Sequence, residues 1–539
     1  MIGGTGVASA GGGAHMKSDL RKNASSGFLV FLIALPLSLG IALASGAPPV
    51  AGVLTAMAGG LIASFLGSAP LTIKGPAAGM IVIVAGAVTE LGDGDASLGY
   101  RRMLAVGVVA GVVQIILALV RAGDIAASMP GSVVHGMLAA IGVIIIAKQV
   151  PTLLGVTDSG PPLLLLMHIP RDILYSNPEV ALIGGVALLM LVFWSKLPEK
   201  VRKIPAPLGV LFFAVPMSLL IDLPHNHTYE FAGGTFELGP RFLVNLPGNL
   251  LGAVALPDFS AWQTHTGVCV KYVVMFALVG SVESLLSVLA VDSMDPTKRV
   301  SDLNRDLLSV GVANTAVAAI GGLPMISEIV RSRANVDAGA VDHRSNFFHG
   351  LFLLLFVAFA PSLLGLIPLA ALAAMLVFTG FRLASPGSFK HTYDIGRDQL
   401  LIFLTTMVVT LVEDLLVGVA AGLLLKVVLH LVLGASARDL FRNPLTQRVD
   451  GETLYLTIHG SATFLNFLPV RRALTRIPPQ VRKVVMDFEG ATLVDHTFQE
   501  KVHLIADEWP NATLHIEGLE RHRSVSQHPH ATRRPAVKA

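Results

Sequence analysis

The chain has 539 residues, of which 53% are hydrophobic and 14% charged, with a formal net charge of +3. A soluble domain carries about 25% charged residues, so this composition excludes an ordinary soluble globular chain, and the net charge is too small to argue for a nucleic-acid partner. A single cysteine, Cys269, excludes an internal disulfide and any cysteine-built metal cage.

The first fifteen residues, "MIGGTGVASAGGGAH", carry no cleavable signal pattern and read as a tail, with Met16 as a candidate start. Residues 1–24 are assigned to this N-terminal tail. Between 25 and 433, apolar runs recur near the length of about 20 residues that crosses a bilayer as a helix. Seven lie near 28–44, 50–66, 77–90, 103–120, 131–147, 180–195 and 208–221. Seven more lie near 272–290, 305–320, 324–333, 346–360, 363–380, 399–412 and 415–433. The chain therefore reads as a polytopic α-helical membrane protein with fourteen segments. Basic residues such as Lys17, Arg21, Lys22, Arg202, Lys298 and Arg382 gather in the tail and the even-numbered loops. By the positive-inside rule both termini are cytoplasmic.

After about residue 434 the pattern changes. "ETLYLTIHGSATF", "VRKVVMDFEGAT" and "ATLHIEGL" read as strands, and "VDHTFQEKVHLIADEW" as a turn followed by a helix. Strands alternating with helices predict a small α/β domain over 434–517. From 518 the polar, basic end reads as a disordered tail, and a solvated tail is preferred to histidine metal binding.

Two segments, 77–90 and 324–333, are too short to span alone. One follows "LTIKGPAAG" and the other follows "GGLPMIS"; Pro76 and Pro324 are 248 positions apart. A matching break in each group of seven segments predicts two halves of inverted topology, with half-helices at the interface between them. Pro76 and Pro324 suit the first helical turn, where no N–H is needed. Half-helix N-termini facing each other in a membrane carry unpaired donors and partial positive charge, which makes an anion site.

Charged side chains cluster in the same regions. Glu283 lies mid-helix in "GSVESLLSVLAVD", with Ser287 one turn on. An intramembrane carboxylate faces a cavity or a partner; it either carries a coupling ion or holds helices in a permanent ion pair. Lys74 either adds positive charge to the first break or snorkels to the surface. Arg331, placed about two turns into the second half-helix, offers a fork that suits an oxyanion; the competing reading is a salt bridge to Glu283 or Glu328. Glu328 pairs with Lys74 or Arg331, or takes up a proton. His135 reads as a hydrogen-bonded structural residue. No HExxH, Walker loop, nucleophile elbow or zinc spacing is present, so an enzyme is not expected.

At these residues the chain resembles the SulP family of anion transporters with a C-terminal STAS domain. The matching pieces are "ALPLSLGIALASGAPPVAG", "TIKGPAAGM", "GSVESLLSVLAVD", "GGLPMISEIVRSRANVDAGA" and, for the STAS core, "VVMDFEGATLVDHTF". The resemblance implies a 7+7 inverted repeat, with a core domain (segments 1–4 and 8–11) moving against a gate domain (5–7 and 12–14), a homodimer, and a bacterial inner-membrane location. It implies substrate contacts at Ala77, Ala78, Gly79, Met325, Ile326, Ser327 and Arg331. It places a coupling site for sodium or a proton at Glu283 and Ser287, with no other cofactor. The implied substrate is a small inorganic anion, bicarbonate ahead of sulfate or a dicarboxylate. An uncoupled anion channel and a regulatory platform acting through the STAS domain are the alternatives. The chain departs from the family pattern at Lys74, at Glu328 and Ile329, and at His496, which follows the loop aspartate Asp495 where anti-sigma-factor antagonists carry a phosphorylatable serine; Thr497 comes next.

Overall fold

The computed structural model describes residues 10–126, 128–158, 160–202, 204–245, 254–442, 445–507, 509 and 511–536. The reading of residues 1–9 lies outside them. Helix α1 (Ala10–Ala44) is followed by α2 (Pro49–Leu61), strand β1 (Ile73–Pro76), α3 (Ile81–Leu91) and α4 (Ala96–Leu119). Then come α5 (Gly131–Leu154), α6 (Pro162–Leu174), α7 (Pro178–Phe193), α8 (Ala206–Leu220) and a hairpin of β2 (His227–Phe231) and β3 (Gly234–Leu238). The next elements are α9 (Thr266–Met294), α10 (Leu303–Ala318), β4 (Met325–Glu328), α11 (Ile329–Asp337) and α12 (Arg344–Phe359). Helices α13 (Leu369–Leu383), α14 (Pro386–Ile395), α15 (Arg397–Val412) and α16 (Leu415–Val432) complete the apolar part.

Among the described residues, eight helices are long and apolar enough to cross a membrane, and three shorter apolar helices accompany them. Each of the fourteen apolar runs contains a helix. Helix α6, helix α14 and the β2–β3 hairpin were not foreseen. Helix starts are set locally. Asp95 accepts from Ser97 N (2.8 Å) ahead of α4, and Asp302 accepts from Asn304 N (2.9 Å) ahead of α10.

The chain divides into two compact units, one of Met1–Gly123 with Val143–Phe381, the other of Asp124–Gly142 with Arg382–Ala539. In the first, helices approach at small residues, as membrane helices do when burial of apolar area no longer drives association. A Cβ on Gly52 would enter the Ser38 backbone, one on Gly59 the Lys74 backbone, and one on Gly60 the Gly350 backbone. These contacts seat α2 against α1, β1 and α12. The apolar core around them includes Phe31, Leu39, Val53, Ile183, Val210, Leu353 and Leu372.

The second unit contains the expected α/β domain. It comprises β5 (Leu445–Asp450), β6 (Thr453–Ile458), β7 (Gly460–Ala462), α17 (Phe467–Thr475), β8 (Lys483–Asp487), β9 (Ala491–Val494), α18 (His496–Ala506) and β10 (Thr513–Glu517). Strands β6, β8 and β10 run parallel and β5 pairs antiparallel at the edge. Leu456, Ile458, Phe467, Val484, Met486 and Phe498 fill its core.

Two boundary expectations are corrected. The 1–24 tail is helical from Ala10, and Asn23 is buried, donating to Asp342 Oδ1 at 2.9 Å. The 518–539 end is not a loose tail over its described part. Strands β11 (His522–Ser524) and β12 (Arg533–Pro535) pair with each other, and β12 pairs with β9. Composition misleads here because main-chain pairing, rather than an apolar side-chain surface, holds the segment.

Candidate functional site

The two broken segments meet. Strands β1 and β4 form an antiparallel two-stranded ribbon that pairs Ile73 with Glu328, Lys74 with Ser327, Gly75 with Ile326 and Pro76 with Met325. The prolines are therefore not in the first helical turn. Pro76 ends β1 and Pro324 immediately precedes β4, while the helices start later, at Ile81 after a short 3-10 turn (Ala78–Met80) and at Ile329. An extended dipeptide before each half-helix fits the restriction that proline puts on its neighbours.

A two-stranded ribbon is marginal alone, and irregular backbone in a membrane must find partners inside the protein. Side chains supply them. Asn314 of α10 accepts from Met325 N (2.7 Å) and donates to Met325 O (3.1 Å), as a third strand would, and also donates to Gln114 Oε1 of α4 (2.8 Å). Ser284 Oγ accepts from Ser327 N (3.0 Å), and Thr55 Oγ1 accepts from Leu323 N (2.7 Å). On the other edge Ser332 Oγ accepts from Ile73 N (2.8 Å), and Asn335 Nδ2 donates to Leu71 O (2.9 Å).

Charges surround the ribbon. A Cβ on Gly79 would overlap the Glu283 carboxylate, so that carboxylate lies against the main chain where α3 begins. A Cβ on Gly75 would overlap Arg331 Nη1, which puts the guanidinium against β1. Arg331 is the third residue of α11, in its first turn rather than its second. It is 1% exposed, and its Nε, Nη1 and Nη2 have no hydrogen-bond partner among the described residues. Glu283 Oε2 and Glu328 Oε1 are buried and equally without one. Glu328 is the N-cap residue of α11, yet its carboxylate makes no capping bond. It lies near enough to interact electrostatically with both Glu283 and Arg331. The neighbourhood thus holds a buried guanidinium, two carboxylates and the starts of two half-helices.

The model of the Sulfate permease family matches residues 20–406. This chain belongs to the sulfate permease family. The bicarbonate transporter BicA of Picosynechococcus sp. is 26% identical over 76% of this chain and 70% of its own length. YvdB of Bacillus subtilis, described as a candidate sulfate transporter, is 27% identical over 76% of this chain and 73% of its own. The solved transmembrane domain of a cyanobacterial BicA superposes with a TM-score of 0.62 at 24% identity, over 75% of this chain and 97% of that one. The structure of SLC26A9 gives 0.66 at 15% identity, over 93% and 85%. The protein is accordingly a multi-pass membrane transporter with the fold of this family.

Within the sulfate permease frame, the expected residues separate by their partners. Ala77, Met325 and Ile326 are buried, and Ser327 is fully so. Ser287 is 8% exposed, one turn beyond Glu283. Lys74 does not snorkel: it is 1% exposed, with Nζ 2.8 Å from Asp306 Oδ1 and 3.1 Å from Thr72 Oγ1. Asp306 Oδ2 also accepts from Ser327 Oγ (3.3 Å), so one carboxylate ties both strands. Neither a permanent ion pair for Glu283 nor a salt bridge for Arg331 is present among the described residues. His135 is exposed and makes no hydrogen bond among the described residues, against the expectation of a hydrogen-bonded structural histidine.

Sequence reading missed Asp306, Asn314, Gln114 and His349. His349 of α12 is fully buried, with neither ring nitrogen hydrogen-bonded among the described residues, and it faces Arg331 electrostatically. Each of the four is a polar side chain inside an apolar run, the signal that singled out Glu283.

In the C-terminal domain, Thr497 is 1% exposed and accepts from Lys426 Nζ (2.7 Å). Asp495 caps α18 and sits 3.1 Å from Lys426 Nζ and 3.5 Å from His430 Nε2. Burial pushes the Asp495 carboxyl up, but Lys426 and His430 outweigh it and hold it well below the usual carboxylate range.

Proposed function

We propose that this protein is a secondary active transporter of a small inorganic oxyanion, with bicarbonate the leading substrate, working by elevator-type alternating access. The core domain (segments 1–4 and 8–11) carries the anion past the gate domain (segments 5–7 and 12–14) in a 7+7 inverted repeat. The anion sits between the starts of α3 and α11, at Ala77, Ala78, Gly79, Met325, Ile326 and Ser327. Arg331 supplies the charge. Residues 434–517 are the STAS domain, the protein is a homodimer in a bacterial inner membrane, and both termini are cytoplasmic.

One observation carries this reading: a guanidinium buried to 1% exposure with no hydrogen-bond acceptor on any nitrogen among the described residues. A buried unpaired charge costs several kcal/mol, of order 3–5 when a partner is taken away, and an oxyanion supplies both charge and acceptors. Lys74 does not compete for the anion, because Asp306 already neutralises it. Glu283 carries the coupling ion, with Ser287 beside it for sodium, or a proton shared with Glu328. One proton on either carboxylate changes the charge of the site by one, which ties proton uptake to anion binding.

Uptake of radiolabelled bicarbonate, sulfate and dicarboxylate into proteoliposomes at varied sodium and pH tests the proposal. Saturable uptake of one of them driven by a sodium or proton gradient is expected. Absence of uptake for all three would defeat it, and a current indifferent to both gradients would convert it to a channel.

A further inference from the structure

The C-terminal end, from Leu519 to Ala536, crosses two elements of its unit. On α18, His496 Nδ1–H donates to His530 O (2.8 Å), Gln499 Nε2 donates to Ala531 O (2.8 Å), and His496 N donates to Thr532 Oγ1 (3.4 Å). At the turn between α14 and α15, Ser526 Oγ donates to Ile395 O (2.5 Å) and Thr532 Oγ1 donates to Asp398 Oδ2 (3.2 Å). The Thr532 hydroxyl therefore bridges the first turn of α18 and the first turn of α15. Ala531 and Thr532 are 0% and 1% exposed. These bonds make the segment a strap between a membrane helix and the C-terminal domain.

Histidines line the strap where it crosses α18. Ring centroids lie 5.8 Å apart for His496 and His528, 5.7 Å for His528 and His530, and 4.2 Å for His503 and His530. His528 Nδ1 accepts from His530 N (3.2 Å), and His528 N donates to Ser526 Oγ (3.2 Å). A proton on His528 Nδ1 turns that acceptor into a donor and breaks the turn that presents His530 O and Ala531 O to α18. We propose that residues 519–536 are a proton-sensitive clamp between the α14–α15 turn and α18, closed when His528 and His530 are neutral and released when they are protonated.

The groups facing the two imidazoles support this direction. His528 is held below the ordinary histidine range by burial, His496 and His391, opposed by Glu500 and Asp394. His530 is lowered by burial, His503, His528 and His496, opposed by Glu500. Farther out, Lys501 and His135 face Glu500, and Asp398 is engaged by Thr532. The docked strap thus binds fewer protons than the free one. Its hold is complete above the free histidine value of about 6.5 and weakens as pH falls below it.

Hydrogen exchange of the full-length protein in detergent at about pH 7.5 and about pH 5.5, on either side of that value, tests the clamp. Rates are corrected for the intrinsic pH dependence of exchange. Protection of amides in 522–536 is expected to fall by roughly tenfold or more at the lower pH, as the uptake of one to two protons on opening permits. Amides of β8 are expected to keep their protection. In the His528→Asn/His530→Asn variant the strap is expected to respond to neither pH, with β8 protection confirming a folded domain. Equal strap protection in the wild-type protein at both values overturns the clamp. So does a loss shared by β8, or an unchanged acid response in the variant.

Discussion

Two places in this protein bury charge, and they do so in opposite ways. Around the β1–β4 ribbon, Arg331, Glu283 and Glu328 make no ion pair among the described residues, and each keeps at least one buried polar atom without a hydrogen-bond partner there. At the α16–α18 junction, Lys426 is fully buried and its ammonium meets both Asp495 and Thr497, so the charges are paired even though Asp495 Oδ2 and His430 Nδ1 have no hydrogen-bond partner among the described residues. The ribbon has a paired charge of its own in Lys74–Asp306, also fully buried, so the contrast holds within a few residues. Paired buried charges hold a fold in register. Unpaired ones mark the place where something else must bind.

That contrast can be broken by substitution. The largest effect is expected at Glu283. Glu283→Gln should abolish gradient-driven accumulation in proteoliposomes while counterflow exchange partly survives; undiminished accumulation would remove Glu283 from coupling. Next, Asp306→Asn strands Lys74 in the interior and should lower unfolding stability by about 3–5 kcal/mol, read from thermal melts. The double change Lys74→Met/Asp306→Leu should restore most of that loss, because the pair is structural. A smaller effect is expected for Asn314→Ala, which leaves Met325 N and O unpaired at about 1–3 kcal/mol. It should raise KM for the anion by about tenfold and leave kcat nearly intact, since the site is displaced rather than emptied.

The smallest effect separates the two regions by pH. The Asp495 carboxyl is depressed in the folded protein. Its contribution to stability is therefore complete above the unfolded value of about 3.9 and is lost as pH falls through that value and below. Melting temperatures of the wild-type protein and Asp495→Asn should differ at neutral pH and converge in acid. A gap that stays constant would mean that Asp495 stabilises by capping alone.

Much of this architecture was legible in the sequence because membrane helices announce themselves by length and apolarity. The paired breaks were legible for a related reason: Gly75–Pro76 and Gly321, Gly322 and Pro324 interrupt apolar runs. What local pattern could not show was that the breaks pair with each other. Ribbon pairing joins residues more than 240 positions apart, and no turn chemistry signals it. This is why Pro76 and Pro324 were expected inside helices and why Arg331 was placed a turn too late. Lys74 could not be assigned either, since its partner Asp306 is 232 positions away. The C-terminal strap was missed because strand pairing and hydroxyl bridges such as Thr532 leave no apolar periodicity.

The central claim is that the unpaired guanidinium of Arg331 holds the transported anion. Calorimetric titration of bicarbonate or sulfate into purified wild-type protein and Arg331→Met, with thermal melts of both, tests it directly. The account predicts saturable binding that Arg331→Met abolishes, with a melting temperature equal to or above that of the wild-type protein, because an unpaired buried charge has been removed. Undiminished anion binding by Arg331→Met would contradict it.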